Sequence, residues 1–157
     1  MKVRYSYLEQ QFSNADDLWK NLKAFVKTGD FTLGAPLVEF EKSFANLIGT
    51  KHAIGVNSGT DAIKLSLKVQ GVGYGDEVIT AANTFVATVG AICELGAIPV
   101  FIDANPVTGN AKCEQLEDAY KPGKTKAVMM AHALGNPFDL SMVLEFCKKY
   151  NLWLIED

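Results

Sequence analysis

Several things are scarce in this sequence. It has three cysteines, Cys93, Cys113 and Cys147, and none forms a CxxC pair. That pattern excludes a zinc ribbon or a disulfide framework and reads as reduced core thiols of a cytoplasmic protein. The two histidines, His52 and His132, stand apart from any cysteine or carboxylate at metal-ligand spacing, so no metal site is expected. No apolar run reaches the roughly 18 residues that cross a bilayer. The N-terminal MKVRYSYLEQQF has no apolar h-region, which argues against a secretory signal. Basic residues do not exceed acidic ones (15 against 18, net charge -3), which argues against a nucleic-acid partner met through a basic face. Repeats, low-complexity tracts and interdomain linkers are missing. So are a Walker A run and GxGxxG, leaving little support for a nucleoside triphosphate or a dinucleotide.

What is present is a core. The 157 residues are 48% apolar, enough for one globular domain or part of a larger one. The first third is helical in pattern. Asn14 can cap a helix carrying Leu18, Leu22, Phe25 and Val26 on one face, with Thr28-Gly29 as its stop. A second helix follows Pro36 with Leu37, Phe40, Phe44, Leu47 and Ile48 at helical spacing, closed by Gly49. The pattern then changes. Short apolar runs at 53–57, 77–80, 98–102, 126–130 and 152–155 read as strands. Helical stretches at 60–70, 85–95, 112–120 and 140–150 alternate with them, with Ile63, Leu65 and Leu67 on the first and Val143, Leu144 and Cys147 turned inward on the last. This alternation implies βαβ units with right-handed crossovers and a mostly parallel sheet covered on both faces. Residues 1–52 read as an N-terminal helical arm and 53–157 as the α/β part.

Ligands of open parallel sheets bind at the carboxyl ends of the strands. Three segments fall there. Asn57-Ser58-Gly59-Thr60-Asp61 opens a helix and offers hydroxyls, a glycine and free N–H groups, an anion site suited to phosphate; plain capping by Ser58 or Thr60 is the alternative. Phe85 follows the 77–80 strand, where its ring could stack on a flat ligand or simply pack. Ile155-Glu156-Asp157 delivers carboxylates to the same edge, in a place expected to be largely buried. Such a carboxylate needs a cationic or hydrogen-bonding partner, for which a protonated heteroaromatic nitrogen, a salt bridge or a helix cap would all serve. His132 also follows a strand and reads more simply as structural.

The order of these segments resembles the DegT/DnrJ/EryC1/StrS family of sugar aminotransferases that use pyridoxal phosphate (PLP). The matching stretches are Gly34 with Val38-Glu39-Phe40-Glu41, the Lys51–Ala62 segment, and Gly75-Asp76-Glu77-Val78-Ile79 with Thr84-Phe85-Val86-Ala87-Thr88. Gly96–Asp103, Lys124–Val128 with His132, and the terminal Ile155-Glu156-Asp157 complete the series. The resemblance implies the type I aminotransferase fold, here the N-terminal part of its PLP-binding large domain. It implies that Ser58, Gly59, Thr60 and Asp61 hold the cofactor phosphate, that Phe85 stacks on its ring and that Asp157 pairs with its ring nitrogen. The lysine that holds the cofactor covalently in the family's aminotransferases would lie beyond residue 157, as would the small domain and two strands between the first strand and the last. The chain is therefore expected to be an N-terminal fragment, inactive alone, of a cytoplasmic, dimeric enzyme. That enzyme would act on a nucleotide-linked keto sugar, with glutamate as amino donor. Two alternatives stay open. His132-Ala133-Leu134-Gly135-Asn136-Pro137 and Tyr150–Asp157 resemble the branch of CDP-4-keto-6-deoxyglucose 3-dehydrases, in which a histidine replaces the lysine. The scaffold could also persist as a non-catalytic binding module.

Overall fold

A computed structural model describes residues 3–157. The chain divides into two compact units, one reaching to Gly55 and the other spanning Val56–Asp157.

The first unit contains α1 (Leu8–Gln11), α2 (Asp16–Thr28) and α3 (Ala35–Ile48). Both longer helices end on a left-handed glycine, Gly29 and Gly49, as the sequence suggests. The start of α2 differs from expectation: its N-cap is Ala15, without a side-chain bond, and Asn14 does not cap it. The apolar faces of α2 and α3, including Leu18, Leu22, Phe40 and Phe44, are exposed.

The second unit is a three-layer α/β/α arrangement. Its strands are β1 (Glu77–Ala81), β2 (Ile98–Ile102), β3 (Thr125–Met130) and β4 (Trp153–Glu156), all parallel, in the order β2-β1-β3-β4. The helices α4 (Gly59–Val69) and α5 (Val86–Glu94) cover one face, where Ile63, Leu67, Val78, Ile92, Ala127 and Met129 form a core. The short α6 (Leu116–Ala119) and α7 (Leu140–Tyr150) cover the other, over Ile79, Val128, Met130, Val143 and Phe146. Neighbouring residues of β1 and β3 thus serve opposite cores, as period-two side chains of a doubly covered sheet must.

Pro99 sits in an edge strand, where a proline is tolerated. Ile98 donates to Asp76 and Ile102 accepts from Ala82, so even-numbered residues of β2 face β1 and Pro99 turns its missing N–H outward.

Some expectations need correction. Residues 53–57 form no strand, and Ile54 and Val56 are exposed. An extended run becomes a strand only when its backbone groups find a ladder, and this one has no partner among the described residues. Residues 112–120 split into a 3₁₀ turn, Cys113–Gln115, and the four-residue α6. On α7 Leu144 is exposed and Phe146 takes the inward place beside Val143 and Cys147; on α4 Leu65 is exposed. Cys113 and Cys147 are buried, but Cys93 is on the surface.

Candidate functional site

The chain leaves β1 through α5 toward β2 on one face and returns through α6 to β3, then through α7 to β4, on the other. The winding direction therefore reverses between β1 and β3. Such a switch point opens a crevice at the carboxyl ends of the strands. A cleft of about 500 Å³ lies there, lined by Asn83, Thr84 and Phe85 after β1 and by His132, Ala133 and Leu134 after β3.

Helix α4 runs into the turn that feeds the start of β1, so its N-terminus lies at the carboxyl edge. Ser58 caps it, accepting a hydrogen bond from Asp61 N–H at 3.1 Å. The capping alternative raised by the sequence is therefore realised for Ser58. The Asp61 carboxylate is drawn to Lys64 at 3.0 Å, and Lys64 also reaches Glu94 at 3.1 Å. The Lys64 ammonium holds the Asp61 carboxyl below the usual carboxylate range. Ser58 and Asp61 thus spend groups on each other and on Lys64. The N–H groups of Gly59 and Thr60 have no partner among the described residues and point from the positive end of the helix dipole. A Cβ built on Gly59 meets nothing within 4 Å, so the local packing does not require glycine there.

Phe85 is the N-cap residue of α5, and its ring is 75% exposed. It belongs to no core cluster of the described residues. A large apolar ring left in solvent at a sheet's carboxyl edge is available for stacking.

Asp157 follows β4. Its N–H donates to Met130 C=O at 2.8 Å and its C=O accepts from His132 N–H, which extends the β3–β4 ladder by one residue. Alternation then decides the direction of each terminal carboxylate. Ile155 belongs to the α4/α5 face, and Asp157, two residues on, points the same way. Its Oδ2 accepts from Thr88 Oγ1 of α5 at 2.5 Å, and Thr88 Oγ1 accepts from Thr84 Oγ1 at 3.0 Å. Glu156 points to the opposite face, where its Oε2 lies 3.0 Å from His132 Nε2. The His132 ring stacks on Phe138 with centroids 4.6 Å apart.

Asp157 is exposed rather than largely buried, yet it has the hydrogen-bonding partner that the sequence argument required. Asp157 and Phe85 are brought together through Thr88, one turn into the helix that Phe85 opens. Ser58–Asp61 reaches the same edge on α4, which packs against α5 and β4. Thr88 and Thr84 were not singled out from sequence as site residues; the only signal is their i, i+4 spacing across Phe85. No group of three or more His, Cys, Asp or Glu among the described residues could hold a metal ion.

This chain is similar to a set of known proteins. GDP-perosamine synthase of Caulobacter vibrioides is 42% identical over 126 residues, covering 80% of this chain and 34% of the relative. The 3-oxo-glucose-6-phosphate:glutamate aminotransferase of Bacillus subtilis is 34% identical, covering 99% of this chain and 36% of its own length. A solved Bacillus subtilis structure with bound cofactor PMP superposes with a TM-score of 0.92 at 33% identity, covering 99% of this chain and 36% of that one. The chain thus spans about a third of the length of these relatives. The family model for the DegT/DnrJ/EryC1/StrS aminotransferase family matches residues 13–157. With that match over nearly the whole chain, on a sheet of parallel strands, the protein belongs to the DegT/DnrJ/EryC1/StrS aminotransferase family.

Proposed function

We propose that the complete protein is a cytoplasmic, PLP-dependent aminotransferase acting on a nucleotide-linked keto sugar. Glutamate is the amino donor, and the working form is a homodimer. In this reading residues 1–52 are an arm and 53–157 the N-terminal part of the cofactor-binding large domain. Relatives named for a GDP-sugar and for a glutamate-dependent oxo-sugar reaction support the substrate class and the donor. A neighbour holding PMP, the amine form of PLP, supports the cofactor.

The observation that carries the reading is the convergence of three unlike groups at one sheet edge. The Gly59 and Thr60 N–H groups suit a dianionic phosphate, which the helix dipole favours. Phe85 offers a free ring face to a planar heterocycle. Asp157 presents a carboxylate with Oδ2 held by Thr88 and Oδ1 without a hydrogen bond among the described residues, fit to accept from a protonated ring nitrogen. When bound there, PLP would serve as an electron sink beside the substrate. The chain's own residues anchor its phosphate, limit its tilt and keep a proton on its ring nitrogen. Ser58 and Asp61 contribute by fixing the first turn of α4, and Lys64, paired with Asp61, offsets the negative charge that an incoming anion would meet.

The test is Asp157→Ala in the complete protein. PLP affinity should fall, and glutamate-dependent amination of a nucleotide-linked keto sugar should drop by at least about a thousandfold, since the proton-holding carboxylate acts on the chemical step. Turnover near that of the unaltered protein would overturn the assignment. Cofactor-dependent loss of a sugar hydroxyl, with no glutamate-dependent turnover, would instead favour the 3-dehydrase reading suggested by His132–Pro137.

A further inference from the structure

We propose that Thr88 is a positioning residue for the Asp157 carboxylate, and that Thr84 and Thr88 form a directed hydroxyl relay that selects which carboxylate oxygen faces the ligand. The inference rests on the PLP reading above.

Thr88 is fully buried, on the face of α5 that meets the sheet. A buried hydroxyl must place its proton and its lone pairs. An ionised carboxylate can only accept, so the 2.5 Å contact fixes Thr88 as donor to Asp157 Oδ2. The Thr88 oxygen is then an acceptor, and the 3.0 Å contact from Thr84 fills it. Every hydrogen in the chain Thr84→Thr88→Asp157 therefore has one direction. The relay ties the end of β4 to the first turn of α5, the turn that Phe85 opens. One short network thereby locks the rotation of the carboxylate and references it to the stacking residue. Charge-assisted bonds of this kind are short and strong, and their value in a site is the fixed geometry they impose.

The experiment compares Thr88→Val, Thr88→Ser, Thr84→Val and Asp157→Asn in the complete protein. It reads the PLP dissociation constant, the visible absorption band of the bound cofactor between pH 6 and 9, and the melting temperature without cofactor. Thr88→Val keeps the shape and removes the donor, so PLP should bind about 10-fold more weakly, with an altered pH response of the band. Thr88→Ser should restore both to within about threefold, and Thr84→Val should weaken binding by about threefold. Unchanged affinity and band in Thr88→Val, or equal impairment in Val and Ser, would overturn the proposal. Should Thr88→Val not fold, Thr84→Val with Thr88→Ser decides: unaltered PLP binding in Thr84→Val would overturn the relay. If Asp157→Asn itself leaves PLP binding and band unchanged, the underlying PLP reading fails. If Asp157→Asn weakens binding and the threonine variants do not, only the relay fails.

Discussion

Gly59 separates a structural from a ligand-driven requirement within a single residue. Its φ is not positive and a Cβ would meet open space, so alanine fits the first turn of α4 without strain. Gly96 is the contrast. Its φ is +73°, and a Cβ there would lie 2.9 Å from the Tyr74 ring and 3.3 Å from the Tyr74 backbone. Glycine at 96 is demanded by the fold; glycine at 59 is not. Gly59→Ala should therefore leave melting unchanged or raise stability by up to about 1 kcal/mol through reduced freedom of the unfolded chain. On the proposed reading the same substitution should weaken PLP binding, because the methyl group would crowd a phosphate held by the Gly59 and Thr60 N–H groups. Thermal melts and cofactor titration of the complete protein check both halves. Unchanged affinity would make residue 59 an incidental part of a cap.

Among the α-helices of the second unit, α6 is the shortest, with four residues, and it is tied to α7 by side-chain bonds. Glu117 on α6 accepts from Tyr150 Oη at 2.5 Å and pairs with Lys149 at 2.9 Å, both on α7. These bonds, the tyrosine's first, hold the Glu117 carboxyl below its ordinary value of 4.5. A depressed folded value means the anchor is fully present above 4.5 and is lost as pH falls through the lower folded value. Acid melts should therefore show that Glu117→Gln removes part of the pH dependence below 4.5 while changing little at lower pH, where the unaltered carboxyl is already neutral. An identical slope in both proteins would show that the anchor does not contribute. The element scale also shows what could be read ahead. The four strands and the helices with strong periodicity, such as α4 and α7, were legible because local pattern and tertiary burial agree. The 53–57 run was not, because a strand is a property of its partner and that partner is not among the described residues. Phe85 and Asp157 were legible as edge residues. The Thr88 link between them was not, because Thr88 lies 69 positions along the chain from the carboxylate it meets.

At the scale of the molecule, the sheet has two open edges that differ in kind. In β4, Asp157 pairs with β3, so alternation turns Leu154 and Glu156 outward, and their backbone groups have no ladder partner among the described residues. Trp153 is half exposed beside them. In β2 the outward row contains Pro99, which offers no N–H to an incoming strand. Open edges with apolar neighbours template pairing with another chain, and a proline in the outward row blocks it. The 157-residue chain should therefore self-associate through β4 more readily than through β2. Pro99→Val supplies the missing donor without disturbing the ladder to β1, since that N–H points away from it. Sedimentation velocity at equal concentration should show a larger associated fraction for Pro99→Val. Glu156→Pro, which removes an outward donor of β4, should lower the associated fraction below that of the unaltered chain. If neither substitution moves the distribution, association does not run through the sheet edges.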